Sequence, residues 1–256
     1  MQNKLKQSLV NNLSNKNVVL FWSGGFESTF LLEFVIKHKI YKLCNMTVLC
    51  VAFPQEIYVD SRIEALKDYT AKIGINVVVL KPQQTIPHDY PYTEACGVCK
   101  VIRREIILQY LNSASSLQNS ETIFMTGHNL DDLASYTLEL IAKKFDADTK
   151  ENRKRLLECA NKFHETFRYS ENVVLYRPLF DKSIRALLPL KEDVEPLKIT
   201  SKKCYWINQR KRILQGYIEK SNIDLSYVKV KSVFLQHFDM PSDKEFQSIP
   251  FDTYLM

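Results

Sequence analysis

The chain is expected to fold as a three-layer α/β/α domain around a parallel sheet, and three features of its sequence predict this. Short runs rich in Val, Leu, Ile and Phe recur along the first half. Each is followed by a stretch with apolar residues at helical spacing. The first such junction carries a Gly-Gly pair, Gly24-Gly25, between strand and helix. Strands alternating with helices of this length close into a parallel sheet covered on both faces.

Taken in order, residues 1–15 read as a polar helix, and Asn17–Trp22 as a buried strand halted by the two glycines. Phe26–His38 is the following helix, with Phe30, Leu31, Phe34 and Val35 on one side. The alternation continues with Met46–Phe53 as strand, Ser61–Ile73 as helix, Asn76–Leu80 as strand and Gly97–Leu111 as helix. Thr122–Thr126 is then strand and Asp131–Lys144 helix. Asp146–Phe167 is densely charged and helical in pattern, an insertion at about 145–170 that postpones the next strand, Val173–Tyr176. Its cations suit a solvated face, with a substrate surface as the alternative. Gln209-Arg210-Lys211-Arg212 opens a basic helix, and the aromatic-rich remainder shows no period. The expected organisation is one main domain over 1–204 and a C-terminal extension of unassigned role over 205–256.

The chain has 256 residues, 45% of them hydrophobic and 25% charged, with 6 Gly and 9 Pro, an ordinary globular composition. No apolar run reaches the length of a bilayer span. The first residues lack the basic-then-apolar pattern of a secretory leader, so a cytoplasmic location and no membrane partner are expected. A formal charge of +6 favours a polyanionic partner such as RNA or DNA. The 6 cysteines in a reducing compartment point to packing plus a metal or redox site.

Three motifs carry chemistry. In Ser23-Gly24-Gly25-Phe26-Glu27-Ser28-Thr29 the glycines let backbone approach an anion. The amides and positive dipole end of the following helix favour phosphate there, and Ser23 and Ser28 add hydroxyls. A plain turn with a serine cap would explain a Gly-Gly pair alone, but the placement between strand and helix favours phosphate binding. The second motif is Cys96-Gly97-Val98-Cys99 at an expected helix start, with Lys100, Arg103 and Arg104 after it. Two thiols three residues apart can share one metal or cluster, and nearby cations favour the thiolate; a redox pair, half a zinc site or two packed cysteines are the alternatives. The third is Thr126-Gly127-His128-Asn129-Leu130-Asp131-Asp132. Its adjacent carboxylates can hold magnesium or assist a reacting group, and Asp131 alone would serve as a helix cap. Cys44, Cys50 and Cys159 read as packing.

The first motif resembles the Ser-Gly-Gly-x-Asp-Ser signature of the PP-loop, or N-type, ATP pyrophosphatases, with Glu27 standing where that family usually has Asp. The string from Thr126 to Asp132 looks like the Thr-Gly-His-Asn-x-Asp-Asp motif of one branch, the tRNA 2-thiolation enzymes that make 2-thiouridine or 2-thiocytidine. Cys96, Cys99, Arg177-Pro178-Leu179 and Cys204 match that branch in order and rough spacing over about residues 17–205. The flanking zinc-finger cysteines of one subgroup are absent from the sequence, which is similar to the shorter type.

The resemblance implies a PP-loop fold with ATP and Mg2+ held by Ser23, Gly24, Gly25, Glu27 and Ser28, with Ala52 and Gly127 also at the nucleotide. Asp131, Asp132, Glu27 and Arg103 would be catalytic, with Arg104 or Lys100 sharing the charge-stabilising role. It implies a 4Fe-4S cluster on Cys96, Cys99 and Cys204, whose fourth iron is open to sulfide or a sulfur donor. The implied reaction adenylates a nucleobase carbonyl, in tRNA, and replaces its oxygen by sulfur. Sulfide or a sulfur-donor protein, and a second copy of the chain, are further candidate partners. The rival readings are an enzyme of the same site that sulfurates a small molecule or desulfurates a thiolated base, and a non-catalytic nucleotide- or RNA-binding relative.

Overall fold

In the computed structural model the described residues are 1–52, 60–83, 92–113, 121–142, 150–168, 172–191, 216–217, 220 and 225–238. The strands are β1 (Asn17–Phe21), β2 (Asn45–Val51), β3 (Asn76–Leu80), β4 (Thr122–Met125), β5 (Thr166–Arg168) and β6 (Val173–Tyr176). The helices are α1 (Gln2–Leu13), α2 (Phe26–Lys37), α3 (Asp60–Ala71), α4 (Tyr92–Ser113), α5 (Leu130–Ala142), α6 (Lys150–Asn161), α7 (Ile184–Lys191) and α8 (Tyr227–His237), with a 3-10 turn at Ile40–Leu43.

The sheet runs β3-β2-β1-β4-β6-β5. Its first five strands in that order pair in parallel, and β5 pairs antiparallel with β6. Each central strand is apolar on both sides, and the two-residue side-chain period sends alternate residues to opposite faces. Val18, Leu20, Val48, Cys50, Ile123 and Met125 enter one core with residues of α1, α2, α3 and α7. Val19, Leu49, Val51 and Phe124 enter the other, with α4, α5, α6 and α8. Three layers follow, and each fully buried Leu, Val or Phe contributes roughly 1.5–3 kcal/mol.

Four local expectations change. The sheet is mostly rather than wholly parallel, because the charged segment ends in β5, an edge strand three residues long. That segment is also less solvated than its charges suggested: Leu156, Leu157, Cys159, Ala160 and Phe163 are buried. Even Lys162 lies under cover, its Nζ 4.1 Å from the centre of the Tyr136 ring. Helix α4 begins at Tyr92, five residues before Gly97, so Cys96 and Cys99 sit inside a helix and not at its start. A glycine within a long helix costs about 1 kcal/mol and does not stop it. The nominally polar first helix buries Leu5, Leu9 and Leu13 at a four-residue spacing.

Within the C-terminal stretch, α8 packs through Val230 and Phe234 into the core it shares with α4, α5 and α6, and the Phe163 ring lies tilted against Phe234, centroids 4.9 Å apart. The basic segment at Gln209–Arg212 lies outside the described residues. At the opposite end of the sheet, Glu121 accepts from Lys16 at 2.7 Å and Arg168 at 2.9 Å, ties that hold the carboxyl below its ordinary pKa. No helix among the described residues is long and apolar enough to cross a membrane.

Candidate functional site

The chain leaves β1 for β2 on one side, and later adds β4 on the other. The connections after β1 and β4 therefore part in opposite directions and open a crevice at the carboxyl ends, the place where open α/β sheets bind ligands. Leu20 pairs with Met125, so Ser23–Ser28 and Thr126–Asp132 emerge side by side.

The first loop is held by its own hydroxyls. Ser28 Oγ donates to Gly25 O at 3.2 Å and accepts from Ser23 N at 3.1 Å. With that proton spent, the 3.0 Å contact between the two serine hydroxyls has Ser23 donating to Ser28. Gly24 takes a left-handed φ of 74°, which glycine adopts without penalty, and α2 opens from Gly25 without a side-chain cap. The helix end thus presents its amides beside a turn that is already shaped.

The second loop presses against the first. A Cβ at Gly127 would lie 2.9 Å from Ser28 N and 3.0 Å from Glu27 C, so only glycine fits there. Asn129 is fully buried, and its amide side chain and backbone N–H make three links between the loops and α5. Its Oδ1 accepts from Asp132 N at 2.9 Å, and its own N donates to Asp132 Oδ2 at 3.2 Å, the reciprocal pair of a capping box at the start of α5. Its Nδ2 donates to Glu27 Oε1 at 3.2 Å, across 102 residues of sequence. His128 turns its Nδ1 to Thr126 Oγ1, 3.0 Å away.

Asp131 and Asp132 are both buried, at 4% and 7% exposure. The capping bond takes Asp132 Oδ2, and Asp131 Oδ2 accepts from Ile184 N at 2.6 Å, the first residue of α7. The anionic oxygen at a helix N-terminus complements the dipole and satisfies an amide that lacks an intrahelical partner. Both carboxylates read from the sequence as reagents thus also fasten the fold. The spacing Asn129-x-x-Asp132 is itself a helix-start signature and carried that signal.

Ala52 follows β2 at the same end of the sheet, nearly buried, with its N bonded to Leu80 O at 2.8 Å. On α4, Arg103 Nη2 donates to Cys99 Sγ at 3.4 Å, an arrangement that favours a thiolate. Arg104 is half-buried on the same helix, its Nε without a hydrogen-bond partner among the described residues. Cys96 lies one turn before Cys99 on α4, but its side chain, that of Lys100 and the whole of Cys204 lie outside the described residues. Among the described residues no three His, Cys, Asp or Glu side chains are grouped to share a metal ion.

Cys50 and Cys159 are buried in the core and Cys44 is half-buried; burial pushes the Cys44 and Cys50 thiols up to about 11. Arg177 is not at the crevice surface. The residue is 1% exposed, and its guanidinium donates to Asn161 O at 3.2 Å, Asn161 Oδ1 at 2.7 Å and His164 O at 3.1 Å, closing the carboxyl end of α6.

No protein-family model matches the chain, and no curated protein sequence does. Solved structures do share its fold. One is the U34-tRNA thiolase NcsA from Methanococcus maripaludis with its 4Fe-4S cluster: at 18% identity the match spans 97% of this chain and 78% of that one, with a TM-score of 0.64. Another is NMN synthetase from Francisella tularensis, at 10% identity over 92% of this chain and 94% of the other, with a TM-score of 0.50. The resemblance read from the motifs is matched by a likeness of fold.

Proposed function

We propose that this chain is an ATP-dependent sulfurtransferase that adenylates a nucleobase carbonyl, in tRNA, and replaces the oxygen by sulfur. The observation that carries the nucleotide half is the meeting of Ser23–Ser28 with Thr126–Asp132 at the crevice, through Gly127 and the Asn129–Glu27 bond. The sulfur half is supported by the fold shared with a tRNA thiolase, by the cysteine motif, and by Arg103 donating to Cys99.

In this reading the amides at the start of α2 and the loop hydroxyls receive the phosphates, with Ala52 and Gly127 beside the nucleotide. Glu27, Asp131 and Asp132 would supply the carboxylate oxygens that a magnesium ion prefers. Arg103, with Arg104 and Lys100 nearby in sequence, neutralises charge that grows on phosphate. The carbonyl oxygen attacks the α-phosphorus and pyrophosphate leaves. A sulfur nucleophile then attacks the carbon, and AMP departs with the oxygen. Adenylation is required because the oxygen of an amide-like carbonyl is otherwise a poor leaving group.

Cys96, Cys99 and Cys204 would hold a 4Fe-4S cluster, which with three protein ligands supplies an open iron for sulfur. Cys96 and Cys99 stand one helical turn apart on α4, and the Arg103 guanidinium beside Cys99 suits an anionic centre of that kind. Domain limits of 1–204 and 205–256, tRNA and a sulfur donor as partners, a homodimer and a cytoplasmic location belong to the same proposal. The net charge of +6 agrees with a polyanionic substrate.

The test is nucleoside analysis of tRNA from cells with and without the gene. Loss of one 2-thio nucleoside, restored by the intact gene and not by one encoding Cys99→Ser, is the expected outcome. An unchanged profile would overturn the tRNA reading in favour of a small-molecule sulfuration, a desulfuration or a non-catalytic role.

A further inference from the structure

We infer that Asn129 is a positioning residue that latches the nucleotide loop: it fixes the Glu27 carboxylate, and through it the first turn of α2, to the start of α5. The inference rests on the nucleotide reading proposed above, and every residue it names lies among the described ones.

The amide of Asn129 is oriented by its surroundings. Its oxygen is committed to Asp132 N, so its Nδ2 must face the other way, toward Glu27 Oε1. The residue is fully buried, which confines the side chain to this geometry. Aspartate would cap α5 equally well but would set a second carboxylate against Glu27. Serine would also cap, yet offers no group long enough to reach it. Among good N-cap residues asparagine alone caps one helix and donates to the other.

The length of Glu27 is part of the same device. The two loops cannot approach further, because Gly127 already lies against the backbone of Glu27 and Ser28. A carboxylate shorter by one methylene would withdraw by roughly 1.5 Å, a carbon–carbon bond length, from a bond now at 3.2 Å. That distance is no longer a hydrogen bond. Glu27 and Asn129 are therefore matched in reach. The bond also ties the loop after β1 to the loop after β4, so the two sides of the crevice hold a common geometry before any nucleotide arrives.

The test compares Asn129→Ser, Glu27→Asp and the double variant in the full chain. Asn129→Ser keeps a helix cap but loses the bond to Glu27, and should melt about 3–10 °C below the original while still folding cooperatively. Without nucleotide, amide hydrogen exchange at residues 24–28 should rise several-fold in each single variant. Calorimetric titration with Mg-ATP should show affinity falling by up to about 10- to 150-fold in each, the range of one charge-assisted hydrogen bond. The double variant should be no weaker than the weaker single one, since both remove the same bond. Unchanged exchange, or losses that multiply in the double variant, would overturn the latch. Faster exchange in the variants of a chain that does not bind Mg-ATP would leave the latch standing and remove the nucleotide reading instead.

Discussion

Asp131→Ala is expected to lower the stability of the chain by about 2–3 kcal/mol, because it removes the carboxylate that receives the first amide of α7. The bond is short at 2.6 Å and the oxygen is anionic, so it belongs to the stronger class of hydrogen bonds. Alanine leaves the Ile184 amide without that acceptor and empties a buried space beside it. Asp131→Asn keeps an oxygen in reach and should stay within about 1 kcal/mol of the original. Denaturant unfolding of the two variants separates the effects. An alanine variant as stable as the original would mean that Asp131 does not hold α7, and that its burial serves chemistry alone. If the asparagine variant folds well and still fails to turn over ATP, the charge itself is what the reaction requires.

Gly127→Ala acts on the ligand site more than on the core. The added Cβ would be set 2.9 Å from one backbone atom and 3.0 Å from another, and neither belongs to a flexible side chain that can swing aside. Either the start of α2 or the loop after β4 must shift, at a cost of about 1–3 kcal/mol. Because the displaced atoms include Ser28 N, the phosphate-facing turn moves with them. Mg-ATP affinity is expected to fall by about 10- to 100-fold, read by calorimetric titration, while circular dichroism retains the α/β signature. Affinity equal to the original would show that the turn is not part of the nucleotide site.

Much of the sheet was legible because Val, Leu and Phe crowd its central strands, which are buried on both faces. β6 was read to the residue, as Val173–Tyr176. β5 was not, since Thr166–Arg168 is three residues long, only partly buried, and lies beside a run of charges. In α6 those charges concealed Leu156, Leu157 and Ala160, whose burial depends on the neighbouring layer. The position of α8 was hidden for a similar reason: Phe234 finds its partners in Phe163 and Phe238, which no local period announces.

The site divides in the same way. The strand–Gly-Gly–helix junction is local, so its nature as an anion-binding turn could be read directly. That it faces Thr126–Asp132 is a consequence of strand order, and the order of strands is not written in any single segment. Asp131 illustrates the remaining gap. Its partner is the backbone amide of Ile184, a residue 53 positions away whose side chain plays no part in the bond, so no residue type could have announced it. Glu27 is the opposite case, because its extra methylene was visible from the start and acquires a purpose once Asn129 is opposite it.

The central claim is that the crevice between β1 and β4 is a nucleotide site, and hydrogen exchange of the full chain with and without Mg-ATP tests it most directly. Slowed exchange concentrated at residues 23–29 and 126–132, with Ala52 beside them, is the predicted result. Protection that leaves both loops unchanged, or none at saturating Mg-ATP, would contradict it.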